Sequence, residues 1–144
     1  MNPPSRKPAS GVAVIILAAG QGKRMKNPLP KVLHPVSGRP MILHILETVA
    51  RALPGSTVAI VVGHGREGVE QAVKDASQGL GLEIAFVHQA EQRGTGHAAR
   101  VAMDSEWGAE VTRKKLAVLV LPGDLPLIPT ALVSQIAEDL GRNN

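Results

Sequence analysis

The residues best suited to chemistry lie in "LAAGQGKRMKNPLPK", Leu17 to Lys31, which joins two glycines to four cations and holds no acid. Gly20 and Gly22 lack a Cβ, so a ligand can approach the backbone and successive N–H groups can converge on an anion. Two common phosphate fingerprints fail here. A dinucleotide motif needs a third glycine where Met25 stands, and a P-loop needs a longer spacing and a hydroxyl after its Gly-Lys. The stretch therefore reads either as a basic surface turn or as an anion cradle. Pro28 and Pro30 restrict the backbone ahead of Lys31. A held Lys31 is a point charge for a phosphate; a free one is a solvated lysine.

"PGDLPLI" (Pro122 to Ile128) puts Asp124 just past an apolar run. A carboxylate there can serve Mg²⁺, which takes one or two protein carboxylates and completes its shell with phosphate and water. The plainer alternative is a turn cap. "QAEQRGTGHA" offers Gln89 and Thr95 as uncharged donors and acceptors, with Gly94 and Gly96 permitting close approach. Such groups suit a nucleobase edge, and Thr95 can equally cap a helix. The five histidines show no metal-binding spacing. His44 reads as structural; His64, His88 and His97 follow strand ends without a visible catalytic partner.

Charge is unevenly distributed. No acid precedes Glu47, where seven cations stand: Arg6, Lys7, Lys23, Arg24, Lys26, Lys31 and Arg39. The remainder carries nine cations against twelve acids. A positive field focused on one stretch suits a compact polyanion. Nucleic acid is not expected, since no recognition motif accompanies the charge and one Phe, one Trp and no Tyr leave little to stack bases on. The absence of cysteine is compatible with a reducing cytoplasm. No run is long enough to span a membrane, and the polar, Pro-rich start does not resemble a signal peptide. A cytoplasmic protein is the expectation.

These loops need elements to position them. "GVAVIIL" (Gly11 to Leu17) is a β-branched run that predicts a strand buried on both faces. Pro40 fits a first helical position. Met41, Ile42, Ile45, Leu46, Val49 and Leu53 fall on one helical face, ended by Pro54-Gly55. Strands are predicted at Thr57 to Gly63, in "LEIAFVHQ" and in "KLAVLVLPGD". Helices are predicted at about Arg66 to Ser77, in a single piece from about Thr95, and at Thr130 to Leu140. Residues 1–10 read as a flexible N-terminal segment ahead of a domain over 11–144. The alternation predicts an α/β fold, a Rossmann-like parallel sheet with helices on both faces. Ligands in such folds bind beyond the carboxyl ends of the strands; here those ends are residues 18–31, 63–65, 89–96 and 122–126, and three of the four carry the loops above.

Taken together, "LAAGQGKRM", "PLPKVLHPVSGRPMI", "QAEQRGTGHA" and "LPGDLPLI" resemble one family, from about Gly11 to the end of the chain. It is the N-terminal uridylyltransferase (pyrophosphorylase) domain of the bifunctional bacterial N-acetylglucosamine-1-phosphate uridylyltransferases / glucosamine-1-phosphate N-acetyltransferases. The first motif is shared by many sugar-nucleotide pyrophosphorylases; the third is narrower. The resemblance implies a nucleotide-diphospho-sugar transferase fold and the reaction of UTP with N-acetylglucosamine 1-phosphate. It implies that Leu17, Ala18, Ala19 and Gly20 lie against the nucleotide and that Gly22 admits its phosphates. Arg24 and Lys31 would be the catalytic cations, with Lys31 also on phosphate. Gln89, Gly94 and Thr95 would read uracil, Gly123 would flank the nucleotide, and Asp124 would bind Mg²⁺.

Departures accompany the likeness. Pro122 stands where some members have Tyr. The family domain is longer than this chain, which is expected to be its N-terminal part: the sugar-binding Gly, Glu and Asn, and an Asn sharing Mg²⁺, would lie beyond Asn144. The acetyltransferase β-helix is not in the sequence, so oligomeric state stays open. The expectation for these 144 residues is weak UTP binding and poor turnover. A related nucleotidyltransferase with another base or sugar phosphate, and a non-catalytic nucleotide-binding module, are the alternatives.

Overall fold

A computed structural model of the protein describes residues 11–20 and 29–142. The β-branched run forms strand β1 (Val12–Ala18), and its side chains alternate between two cores. Val12, Val14, Ile16 and Ala18 enter one; Ala13 and Ile15 enter the other. Alternation follows from the two-residue period of a strand, and burial on both faces requires a layer on each side.

Strands β4 (Thr57–Val62), β5 (Glu83–His88) and β6 (Ala117–Pro122) join β1 in one parallel sheet of order β5-β4-β1-β6. Helices α1 (Met41–Ala52), α2 (Arg66–Ser77) and α5 (Thr130–Arg142) cover one face; α3 (Thr95–Met103) and α4 (Glu106–Arg113) cover the other. The predicted parallel sheet with helices on both faces is therefore present. The chain leaves β1 to one side for β4 and β5, then crosses to the other side for β6. This reversal opens a crevice between the exits of β1 and β6, where ligands of open α/β sheets bind.

Two local features differ from the expectation. Pro40 precedes α1 as its cap and, with Arg39, forms β3, which pairs antiparallel with β2 (Pro35–Val36). Ser37 and Gly38 between them both have positive φ, the requirement of a type I′ hairpin turn. His44 Nε2 donates to the Val36 carbonyl at 2.7 Å, so this histidine is structural, as read from the sequence. The helix beginning at Thr95 is two helices. Ser105 breaks it: its Oγ donates to the Ala102 carbonyl and accepts from Gly108 N–H, capping α4. A Cβ at Gly108 would overlap the Met103 carbonyl, so glycine allows α4 to fold back against α3.

Candidate functional site

At the carboxyl edge of the sheet lies a cleft of about 230 Å³. Leu17, Ala19 and Gly20 line it from the β1 exit, Lys31 and Val32 from the following 3-10 turn, and Pro122 and Asp124 from the β6 exit. The opposite wall is Gln89, Gln92, Gly94, Thr95 and Ala98, from the end of β5 and the start of α3. Loops remote in sequence meet here because the sheet is parallel and its carboxyl ends share an edge.

Lys31 is held from behind. The turn Lys31–Leu33 closes with Leu33 N–H on the Pro30 carbonyl at 2.9 Å. Gly65, in the left-handed region at φ 73°, lies against this turn; a Cβ there would sit 2.7 Å from Pro30 Cγ. Glycine is required at 65 both for its φ and for the approach. Lys31 Nζ contacts Asp124 Oδ2 at 2.9 Å, with the side chains 46% and 36% exposed. An ion pair so exposed contributes about 0–1 kcal/mol, so either partner can be exchanged at small cost. Of the other cations before Glu47, Arg39 pairs with Glu47 at 2.6 Å. Arg24 and Gly22 lie outside the described residues, as do Arg6, Lys7, Lys23 and Lys26.

Gly123 stands behind the cleft. Its N–H donates to the Leu17 carbonyl at 2.9 Å, and a Cβ would lie 2.8 Å from that oxygen. It continues the β1–β6 pairing past the strand end, one residue before Asp124. The Ala18 side chain is packed in the three-helix core. Of the residues singled out from the sequence, Leu17, Ala19, Gly20, Lys31, Gln89, Gly94, Thr95 and Asp124 meet in one cleft. Pro122 lines it as well.

The opposite wall is neutral. Gln89 is 4% exposed; its backbone N–H continues the ladder to the Val62 carbonyl at 2.8 Å. Its Nε2 lies 2.8 Å from His97 Nδ1. Gly94, at φ 92°, caps α3, and Thr95 is the first helical residue, so the capping role open to Thr95 is taken by its neighbour. The N-terminus of α3 is a partial positive charge on this wall. Sequence reasoning missed Gln92, whose Nε2 donates to the Ala19 carbonyl and ties this loop to the β1 exit. It also left His97 without a partner, which Gln89 supplies. The only available signal was a second amide two residues before Gly94.

The donor set fits Mg²⁺ in its one-carboxylate mode. Among the described residues no group of three or more His, Cys, Asp or Glu side chains could enclose a metal ion. Among the described residues lining the cleft Asp124 is the single acid, which would leave most positions to phosphate and water.

Comparisons with known proteins bear on the family and the fold. Bifunctional protein GlmU of Cupriavidus taiwanensis is 44% identical over 128 residues, covering 89% of this chain and 25% of the relative. That of Burkholderia mallei is 44% identical over 125 residues, 87% and 25% respectively. The chain thus spans about a quarter of the length of these curated relatives. A Bacillus anthracis protein assigned as a glucose-1-phosphate thymidylyltransferase, solved with sucrose, superposes with a TM-score of 0.73 at 21% identity, covering 91% of this chain and 50% of that one. CMP:2-keto-3-deoxy-manno-octonic acid synthetase complexed with CTP superposes at 0.60 with 26% identity, covering 93% and 48%. The family model of the MobA-like NTP transferase domain matches residues 14–144, and the chain belongs to that family of nucleotidyltransferases.

Proposed function

We propose that this domain serves uridylyl transfer, in which UTP and N-acetylglucosamine 1-phosphate become UDP-N-acetylglucosamine and pyrophosphate. One observation carries the reading: the Lys31–Asp124 pair and the buried Gln89 amide, with Gly94 and Thr95, face each other across a single cleft at the strand switch. The first wall suits a triphosphate with its metal; the second suits a pyrimidine edge. The 44% identity to curated GlmU proteins supports the same choice.

Asp124 would hold Mg²⁺ in the one-carboxylate mode. Bound there, the ion supplies charge neutralisation to the triphosphate and the departing pyrophosphate. Lys31, already held beside Asp124, would pass its ammonium to a phosphate oxygen when Asp124 takes the metal. The exchange is easy because the exposed pair is weak. Arg24 is the second proposed phosphate cation. The attacking group is a phosphate monoester, anionic at neutral pH, so no general base is needed. Displacement runs in line at the α-phosphorus, and the protein contributes alignment and charge complementarity. A uridylyl group enters on the sugar phosphate oxygen as pyrophosphate leaves.

Calorimetric titration of the chain with UTP, CTP and ATP in the presence of Mg²⁺ tests this. UTP is expected to bind best, and equal binding of all three would remove the uracil assignment. Cytidylyl transfer is the second reading, because one structural relative is complexed with CTP; a CTP preference in the same titration would favour it.

A further inference from the structure

Gln89 is the one buried polar side chain in the cleft lining of the described residues, and its amide has a direction. Its Nε2 donates to His97 Nδ1 at 2.8 Å. An amide nitrogen can only donate, so in this pairing His97 Nδ1 is the acceptor. A carboxamide presents oxygen and nitrogen in opposite directions about its last torsion. With the nitrogen on His97, the oxygen remains, and none of the described residues donates to it. His97 stands in the first turn of α3, behind Gly94 and Thr95, and does not itself line the cleft.

We propose that His97 is a positioning residue that sets pyrimidine choice by fixing the sense of the Gln89 amide. The proposal rests on the reading of Gln89 as a contact for the base. Uracil presents an N–H at ring position 3; cytosine presents a bare nitrogen lone pair there, beside an amino group. A fixed Oε1 accepts from the first and repels the second. An amide free to turn over can offer N–H to cytosine instead. Discrimination of this kind depends on the mismatched partner being left unpaired in a buried place. At 4% exposure, Gln89 has little water to repair such a mismatch.

The test is titration of UTP and CTP, with Mg²⁺, into the chain and two variants. His97→Leu removes the acceptor and keeps bulk. His97→Asn returns an acceptor oxygen near the position of Nδ1. The expected result is a UTP preference in the parent, reduced about tenfold in His97→Leu, the worth of a single hydrogen bond, and largely restored in His97→Asn. A leucine variant that keeps the parental UTP/CTP ratio overturns the role of His97 while leaving Gln89 as base reader. Equal loss of both affinities in both variants, with an unchanged ratio, marks a merely structural role and also overturns it. Equal binding of UTP and CTP by the parent defeats the uracil reading itself, and the proposal with it. If circular dichroism finds the leucine variant unfolded, His97→Ala takes its place, under the same criteria.

Discussion

The two walls of the cleft are built on different terms. The β1/β6 wall carries charge that is half exposed and weakly paired, Lys31 against Asp124. The β5/α3 wall carries neutral groups, with Gln89 buried and fixed to His97. Charge near water can be exchanged rapidly between partners, which suits phosphates that arrive with a metal and leave as pyrophosphate. An amide in a dry place cannot change its pairing cheaply, which suits a choice between bases. Under the proposed function, the difference means that catalysis and selection are separable, although they share one cleft.

Breaking the charged wall is expected to have the largest effect. Asp124→Asn should lower the turnover of the proposed uridylyl transfer by about 100-fold or more, as removal of a single transition-state contact does. Its UTP/CTP ratio should stay parental; a changed ratio would show that the walls are not independent. Arg24→Ala should depress turnover more than it weakens sugar-phosphate binding, and unchanged turnover would remove Arg24 from the mechanism. Gly108→Ala attacks the other wall from behind, by forcing a methyl into the Met103 carbonyl. Overpacking of this kind costs about 1–3 kcal/mol, read as a lower urea midpoint. Lys31→Ala should weaken UTP and CTP about equally, by roughly tenfold, the loss of a charge-assisted contact. A selective loss of one nucleotide would place Lys31 near the base.

Glu110, on the solvent side of α4, offers the smallest effect. Arg113, hydrogen-bonded to it, and then Lys114 hold its carboxyl below the usual carboxylate range. A depressed folded value stabilises the fold above the unfolded value and loses that contribution as pH falls through the folded one. Glu110→Gln should therefore be slightly less stable at neutral pH and indistinguishable from the parent in strong acid. Thermal denaturation at both pH values checks it.

Much of the scaffold was legible because β1 and β4 are β-branched runs and α1 has a clean apolar face. The break between α3 and α4 was not. Met103, Asp104 and Ser105 include no glycine or proline, and the decision rests on the Ser105 cap and the Gly108 approach. The hairpin was hidden by Pro35 and Pro40, residues that usually argue against strands. In the site, residue types announced Lys31, Asp124 and the glycine-bearing loops. Their pairing did not: Lys31 and Asp124 meet because β1 and β6, distant in sequence, are neighbours in the sheet. Gln92 was passed over because its acceptor, the Ala19 carbonyl, lies 73 residues away in sequence.

Trp107 has a use of its own. It is the sole tryptophan in a chain without tyrosine. It is nearly buried in the two-helix core, with Nε1 donating to Thr57 Oγ1 at 2.8 Å. Thr57 begins β4, whereas the cleft lies where that strand ends. The molecule therefore contains a single tryptophan, at the end of the sheet away from the cleft. Its emission will follow the detachment of α4 from the sheet during unfolding, and a ligand absorbing in the cleft can be titrated with circular dichroism and fluorescence read as separate channels.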